Sequence, residues 1–163
     1  AMGTVTQDGV RVSSSAVREA LVAGALEHAR QLLGRRYSIS GRVVHGDKLG
    51  RTLGFATANI QLKHNRPPLQ GIFAVRLHGA AGVALDGVAS LGVRPTVKAA
   101  GARAVLEVHV FDLDGDLYGR HVRVEFVSKI RDEEKYEGLE ALKRQIALDC
   151  SEARRILAAA NAR

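Results

Sequence analysis

The stretch VLEVHVFDLDGDLYGRHVRVEFVS, residues 105–128, decides the fold class of this chain. Its first half alternates apolar and polar side chains, which puts Glu107 and His109 on the face opposite to the apolar residues. A second strand is predicted over His121–Ser128. Between the two lies the dipeptide 114–115, Asp-Gly, which is typical of a tight turn. The stretch therefore predicts two β-strands that follow one another in sequence with no helix between them.

Short β-rich segments of the same kind continue on the N-terminal side of this stretch. Glycine- and proline-containing turns separate them, and no helical periodicity lies between them. The predicted strands are Tyr37–His45, Ala56–Gln61, Gly71–His78, Asp86–Leu91, Val105–Asp112 and His121–Ser128. Strands that follow one another without intervening helices favour an antiparallel sheet or barrel over a βαβ fold. The chain is therefore predicted to be mainly β.

Helical patterns are confined to the two ends of the chain. Apolar residues recur at helical spacing over 13–34, and Gly24 is expected to divide this stretch into two short helices. A longer apolar stripe, from about Glu133 to Ala160, predicts a C-terminal helix that packs across the sheet.

Composition narrows the classes of function. The formal net charge of +7 suggests an anionic partner such as a nucleotide or a nucleic acid. With four Phe, three Tyr and no Trp, the chain offers no clustered platform for stacking single-stranded nucleic acid. We expect no membrane span and no signal peptide, and the single cysteine, Cys150, fits a cytoplasmic protein without an internal disulfide.

A glycine-rich stretch, GDKLGRTLGFATAN at residues 46–59, could surround phosphates with backbone amides and cations. It lacks the Gly-Lys-Ser/Thr sequence of a Walker A loop, and a mobile hairpin loop is the competing interpretation. Thr57 and Asn59 follow two residues apart, so their side chains point to one face of a strand. A hydroxyl and an amide oxygen could hold Mg²⁺, although two such residues are also common on a solvent-facing strand.

Five sequence blocks, in order, resemble the riboflavin kinase family. They are Gly50–Ile60, with its Gly-Phe-Ala-Thr-Ala-Asn core; Gly92–Thr96; Leu106–Asp112; Leu117–Gly119; and a tail from Phe126 to Asp149. The resemblance covers roughly residues 37–157. It implies a small six-stranded antiparallel Greek-key β-barrel with a C-terminal α-helix and short N-terminal helices. It also implies phosphoryl transfer from Mg-ATP to riboflavin, giving FMN and ADP.

The family's site residues can be carried over by position. The resemblance implies a catalytic base, Glu107; Mg²⁺ ligands, Thr57 and Asn59; ATP-binding residues, Gly46, Lys48, Gly50, Gly54, Phe55 and Thr57; and flavin-binding residues, Arg131, Glu107, Arg94 and Thr96. It also places a flap over the flavin ring at residues 128–135. The strand phase puts His109 near the site, but no role is assigned to it.

Residues 1–34 are expected to be separate in origin from the kinase domain, residues 35–163. Ala1-Met2-Gly3 looks like a tag remnant. The stretch that follows resembles the end of the adenylyltransferase domain in bifunctional bacterial riboflavin kinase/FAD synthetases. Most of that domain, the partner expected in a full-length chain, is missing. FAD synthesis is therefore not expected from these residues.

One departure from the family pattern leaves alternatives open. Ala56 stands where the family usually has proline, which would restrict the backbone at the entry to the strand. A flavin-binding barrel without kinase activity is therefore one alternative. A basic barrel that binds nucleic acid is another, and strongly salt-dependent oligonucleotide binding without flavin affinity would favour it. The nucleic-acid-binding alternative leaves the glycine-rich loop, the Thr57–Asn59 pair and Glu107 unexplained, whereas flavin binding without ATP turnover would favour the other.

Overall fold

A closed β-barrel carries two short N-terminal helices and one long C-terminal helix. The computed structural model describes residues 5–7, 10–12, 14–45, 55, 57–62, 67–95, 102–113 and 115–161. In chain order the described elements are β1 (Val5–Gln7), β2 (Val10–Val12), α1 (Ser14–Val22), α2 (Leu26–Leu33), β3 (Ser38–Val44), β4 (Thr57–Ile60), β5 (Gly71–His78), β6 (Leu85–Pro95), β7 (Ala102–Val110), β8 (His121–Arg131) and α3 (Leu139–Asn161).

The six strands β3–β8 close into an antiparallel barrel in the order β3-β4-β7-β6-β5-β8. Strands β5, β6 and β7 are consecutive neighbours, and β4 lies beside β7, which is a Greek-key arrangement. In this closed order each of the six strands has a neighbouring strand on both sides, which covers edges that could otherwise pair with another chain. The predicted fold class and all six predicted strands are confirmed.

Alternation along the strands fills the barrel interior with apolar side chains. The fully buried set includes Phe73, Val75, Leu77, Leu91, Leu106, Val108, Val124 and Phe126. The rings of Phe73 and Phe126 meet edge to face with centroids 5.2 Å apart, a geometry that aromatic pairs favour. Because Leu106 and Val108 point inward, Glu107 between them points to the outer face of the barrel.

Helix α3 covers part of the outer face. Its Ala153 and Leu157 are buried in a second apolar cluster with Ile72, Ala74, Val88, Phe111 and Val127. Arg154 lies over the Phe111 ring, with 4.1 Å from its guanidinium carbon to the ring centroid. Strand β5 is therefore buried on both faces, by the barrel core on one side and by α3 on the other.

The contribution of α3 to stability can be measured with two leucines on the same helix. Leu157 is fully buried, whereas the side chain of Leu148 is 64% exposed. Leu157→Ala is expected to lower the free energy of unfolding by about 2–5 kcal/mol, because it removes buried methyl groups and leaves a cavity. The matched change Leu148→Ala is expected to cost less than about 0.5 kcal/mol. Urea unfolding curves of the two variants give the comparison, and equal losses would contradict the packing of α3.

The N-terminal helices pack on the barrel. Val17 and Leu21 of α1 and Leu26 and Ala29 of α2 belong to the same buried cluster as the barrel interior. Gly24 adopts a φ of 77°, a left-handed conformation that separates the two helices as predicted. The division of the chain at residue 34 stays a prediction. No helix in the described part of the chain is both long enough and apolar enough to cross a membrane.

The structure differs from the sequence prediction at several element boundaries: β6 runs to Pro95 instead of Leu91, and β7 covers Ala102–Val110 instead of Val105–Asp112. The β1–β2 hairpin was not predicted, because each strand has only three residues and offers no readable alternation. Strand β8 runs to Arg131 instead of ending at Ser128, and α3 begins at Leu139, not near Glu133. Gly138 has a φ of 93°, which a right-handed helix cannot contain, so α3 starts only after it. Residues 132–138 are therefore a connection, called here the β8–α3 loop.

Candidate active site

Polar side chains from three adjacent strands line up on the outer face of the barrel. Asn59 of β4 lies directly opposite Glu107 of β7, and Glu107 lies directly opposite Ser90 of β6. All three residues are partly buried. Direct partners in an antiparallel pair share a face and have Cβ atoms about 4.5–5.5 Å apart. The predicted base and one predicted Mg²⁺ ligand are therefore neighbours.

A second row of side chains lies beside the first. Thr57 is directly opposite His109, on the same face as Asn59 and Glu107. The ring of Phe55 meets the His109 ring edge-on with centroids 5.5 Å apart, and Phe111 does so at 5.6 Å. His109 therefore contacts two aromatic rings, those of Phe55 and Phe111, and lies beside Thr57.

The donor chemistry at Thr57 and Asn59 fits magnesium as a partial ligand set. Both side chains offer neutral oxygen atoms, which hard cations prefer, and Mg²⁺ usually completes its coordination with water and substrate phosphates. Within the described ranges, His, Cys, Asp and Glu side chains form no group of three or more that could hold a metal. A magnesium ion here would be shared between the chain and a phosphate-bearing substrate.

A cavity of about 190 Å³ includes Thr57 and Asn59 in its wall. The rest of the lining comes from Ala58 of β4, the end of β3, β7 and the segment that follows β7. These lining residues are Val43, Val44, His45, Ala58, Val108, Val110, Leu113, Gly115, Asp116, Leu117 and Tyr118. The rings of His45 and Tyr118 are stacked, with centroids 3.8 Å apart and planes 18° from parallel. The cavity therefore combines polar residues with a flat aromatic surface.

Hydrogen bonds fix the segment that carries Tyr118. The Tyr118 backbone N–H donates to Asp116 Oδ1 at 2.9 Å, and the Gly119 N–H donates to the Val43 carbonyl at 2.9 Å. Gly119 has a φ of 84°, a left-handed conformation that glycine adopts without strain. This is the Leu-Tyr-Gly block of the sequence, and its tight turn holds the Tyr118 ring against His45.

The β8–α3 loop places a second carboxylate on the same outer face. Ser90 Oγ donates a hydrogen bond to Glu133 Oε1 at 2.8 Å. A Cβ atom at Gly92 would lie only 2.0 Å from Glu133 Oε2, so the carboxylate occupies space that any other residue at 92 would fill. Sequence reasoning missed Ser90, and it placed Glu133 only within the predicted flap of residues 128–135, without a role of its own. The glycine of the Gly92–Thr96 block is the one signal that could have indicated a close approach.

Arg131, predicted to bind flavin, is engaged with helix α3. Its Nε and Nη2 donate to Asp149 Oδ1 and Oδ2 at 2.9 and 2.7 Å, and its Nη1 donates to the Asp132 carbonyl at 3.0 Å. Asp149 is only 4% exposed and also accepts a hydrogen bond from Gln145. The hydrogen bond to Asp149, more than any other interaction, raises the pKa of Arg131. These contacts tie the end of β8 to α3.

Several predicted site residues lie outside the described residues. They are Gly46, Lys48, Gly50, Gly54 and Thr96, together with Ala56, the departure from the family pattern. Arg94 is described only as part of the β6 backbone, opposite Arg103. The described part of the site therefore consists of the Thr57–Asn59 strand, Phe55, Glu107 and Arg131, with the newly found Ser90, Glu133 and His45–Tyr118 pair.

Comparisons with known proteins agree with this arrangement. The family model for flavokinase, described as riboflavin kinase, matches residues 33–157. The bifunctional riboflavin kinase/FMN adenylyltransferase of Escherichia coli (strain K12) is 51% identical over 146 residues, which are 90% of this chain and 46% of that protein. The chain thus spans about half the length of the curated relatives that it matches.

Two solved structures have similar folds. One, described as a macrolide-efflux protein from Streptococcus pneumoniae, has a TM-score of 0.77 and 33% identity, and covers 90% of this chain and 47% of that one. The other, riboflavin kinase from Trypanosoma brucei, has a TM-score of 0.52 and 24% identity over 74% of this chain and 78% of that one, and supports the fold alone. Because the family model matches most of the sequence, the chain belongs to the riboflavin kinase (flavokinase) family.

Proposed function

We propose that this chain transfers the γ-phosphoryl group of Mg-ATP to the 5′-hydroxyl of riboflavin, giving FMN and ADP. The observation that carries the proposal is the placement of Glu107 directly beside Asn59, on the strand face that also holds Thr57. A carboxylate next to two neutral oxygen ligands suits the activation of a hydroxyl close to a magnesium-bound phosphate. Membership of the flavokinase family identifies the hydroxyl as that of riboflavin.

Glu107 is proposed to act as the general base. Its carboxylate would accept the proton of the 5′-hydroxyl while that oxygen attacks the γ-phosphorus and the bond to the ADP oxygen breaks. General-base assistance contributes about 10²–10⁴-fold to such a step. Most of the remaining acceleration in phosphoryl transfer comes from the positioning of the reactants and from electrostatic stabilisation of the phosphoryl oxygens.

The nucleotide is proposed to bind along β4 and the cavity. Thr57 and Asn59 would hold Mg²⁺, which would supply positive charge to offset the negative charge of the phosphates. The proposed phosphate contacts are Lys48 and the backbone around Gly46, Gly50 and Gly54. Phe55, also proposed to bind ATP, lies just before β4. The stacked His45–Tyr118 pair, in the wall of the same cavity as Thr57, provides a surface on which an adenine ring can stack.

Tyr118 gives a direct test of this adenine surface. Its side chain is 54% exposed, so Tyr118→Ala is expected to leave the fold intact. We expect the KM for ATP to rise about 3- to 10-fold, which corresponds to the loss of one aromatic stacking interaction. Tyr118→Phe keeps the ring and serves as the matched control with a KM near that of the wild type. Steady-state kinetics with ATP varied at saturating riboflavin measures the effect, and an unchanged KM in Tyr118→Ala would place the adenine elsewhere.

The flavin is proposed to bind on the opposite side of Glu107 from the nucleotide. Arg94, Thr96 and Arg131 are the proposed contacts around its ring. The predicted flap, residues 128–135, comprises the last residues of β8 and the first part of the β8–α3 loop. The bidentate pairing of Arg131 with the buried Asp149 indicates that Arg131 contributes mainly by fixing this loop. A planar guanidinium that pairs with a carboxylate in two parallel hydrogen bonds is well suited to this task.

Two further expectations belong to this proposal. FMN is the product proposed for the part of the chain that matches the flavokinase model, residues 33–157. The cytoplasm is the proposed compartment, in keeping with Cys150 as a free thiol.

Product analysis tests the proposed function. The protein is incubated with riboflavin, ATP and Mg²⁺, and the flavins are separated by chromatography. We expect FMN to form only when all three components are present, with no FAD. Riboflavin that binds but stays unchanged would indicate a non-catalytic flavin-binding barrel and would contradict the proposal.

A further inference from the structure

We propose that Glu133 is a substrate-positioning residue, whose carboxylate accepts hydrogen bonds from the secondary hydroxyls of the ribityl chain. The inference rests on the proposed function, because it takes riboflavin as the phosphoryl acceptor. In this proposal Glu133 selects flavins whose side chain carries secondary hydroxyls, whereas Glu107 activates the terminal hydroxyl.

The carboxylate of Glu133 has a defined seat on strand β6. Ser90 Oγ donates to its Oε1 at 2.8 Å, and its Oε2 occupies the space where a side chain at residue 92 would begin. Residues 90 and 92 point to the same face of the strand, since side chains alternate along it. One serine and one glycine at this spacing therefore form a notch that accommodates a carboxylate.

This seat is next to the proposed base. Ser90 is the direct cross-strand partner of Glu107, so the notch lies on the outer face immediately beside Glu107. Asn59 flanks Glu107 on the other side. In the order of the strands, Glu107 lies between the proposed metal ligand Asn59 and the seat of Glu133.

The geometry of phosphoryl transfer then indicates which substrate lies on each side of Glu107. The attacking and leaving oxygens must lie roughly in line with the γ-phosphorus, so donor and acceptor approach from opposite directions. The nucleotide is proposed on the Asn59 side. The acceptor chain is therefore placed over Ser90, to which the exposed Glu133 carboxylate of the β8–α3 loop is hydrogen-bonded.

The loop that carries Glu133 is fixed at its start. Arg131, two residues earlier, makes a bidentate ion pair with the buried Asp149 of α3 and also donates to the Asp132 carbonyl. The carboxylate is thus held by Ser90 at its tip and by α3 through Arg131 at its base. Such a preorganised acceptor can select hydroxyl donors, because a site built to bond a substrate hydroxyl discriminates against an analogue that lacks it.

The test compares riboflavin with a flavin whose N10 chain is 5-hydroxypentyl, which keeps the terminal hydroxyl and lacks the secondary ones. Glu133→Ala is expected to lower kcat/KM for riboflavin by roughly 10- to 100-fold, the loss expected for hydrogen bonds to a charged group. It is expected to leave kcat/KM for the hydroxypentyl flavin nearly unchanged. The ratio of kcat/KM for riboflavin to kcat/KM for the hydroxypentyl flavin should therefore be lower in Glu133→Ala than in the wild type, by the same factor.

Two further variants separate positioning from a structural effect. Gly92→Ala adds a methyl group where the Glu133 carboxylate lies and displaces only the end of a flexible side chain, so it should reduce the same preference with the fold intact. Glu133→Asp keeps the charge and should recover part of the preference. Glu140 is an exposed carboxylate in the first turn of α3, and Glu140→Gln is the matched control. This variant should leave kcat/KM unchanged for both flavins.

The outcomes distinguish this inference from the proposed function. Equal losses for both flavins, or no loss for either, would overturn the role of Glu133. Absence of FMN formation by the wild type would refute the proposed function itself. In that case the same comparison, made on flavin affinities from fluorescence quenching, still decides whether Glu133 recognises the ribityl hydroxyls.

Discussion

Glu107→Gln is expected to lower the rate of FMN formation by roughly 100- to 10,000-fold, while Mg-ATP and riboflavin still bind. Glutamine has nearly the same shape as glutamate but cannot accept the proton of the attacking hydroxyl. Because Glu107 lies on the outer face and not among the buried core residues, the substitution should not disturb the barrel. The loss should therefore be seen in kcat, measured by chromatography of the flavins at saturating substrates.

The control for Glu107→Gln is the same substitution at a distant carboxylate. Glu152 of α3 pairs with Arg155 in the same helix, and it lies on α3 and not on a strand of the barrel. Glu152→Gln is expected to retain the wild-type rate. A rate for Glu107→Gln within a few-fold of the wild type would remove Glu107 from the role of base, and the positioning of substrates would then account for the catalysis.

Asn59→Ala is expected to reduce kcat/KM for Mg-ATP by about 100-fold, the upper end of the losses found when a group supporting a metal is removed. Asn59 supplies one of the two proposed oxygen ligands and lies directly opposite Glu107. Its loss should weaken binding of the magnesium–nucleotide complex and also misplace the phosphoryl group relative to the base. The measurement is an ATP titration of FMN formation, repeated at increasing Mg²⁺ concentrations.

The dependence on Mg²⁺ identifies the cause of this loss. If Asn59 is a ligand, excess Mg²⁺ should recover part of the activity of Asn59→Ala. Asn161→Ala, at the far end of α3, should behave like the wild type at all Mg²⁺ concentrations. A loss in Asn59→Ala that is independent of Mg²⁺ would contradict the role of Asn59 as a metal ligand and would point to a structural contribution.

Much of the fold could be predicted from the sequence, because the information is local. Alternation in residues such as those around Glu107 identifies each strand, and Gly24 marks the break between α1 and α2. The start of α3 could not be located, since the residues before Gly138 fit a helical stripe equally well. Only the left-handed conformation of Gly138 shows where the helix begins.

The candidate site was predictable residue by residue but not as an arrangement. The types and spacing of Thr57 and Asn59 indicate oxygen ligands, and family resemblance points to Glu107 as a base. No local feature of the sequence indicates that Asn59 and Glu107 are direct cross-strand partners, because their pairing depends on the order of the strands in the barrel. Glu133 was assigned to the helical stripe, and its contact with Ser90 arises from long-range packing of the β8–α3 loop on β6.

The most direct test of the central claim follows the phosphoryl group itself. Mg-ATP labelled with ¹⁸O on the non-bridging oxygens of its γ-phosphate is incubated with riboflavin and the protein, and the FMN is examined by mass spectrometry. Transfer from ATP to the 5′-hydroxyl predicts FMN whose phosphate keeps all the labelled oxygens, with the ester oxygen contributed by riboflavin. Labelled inorganic phosphate with unchanged riboflavin would show hydrolysis without transfer and would contradict the claim.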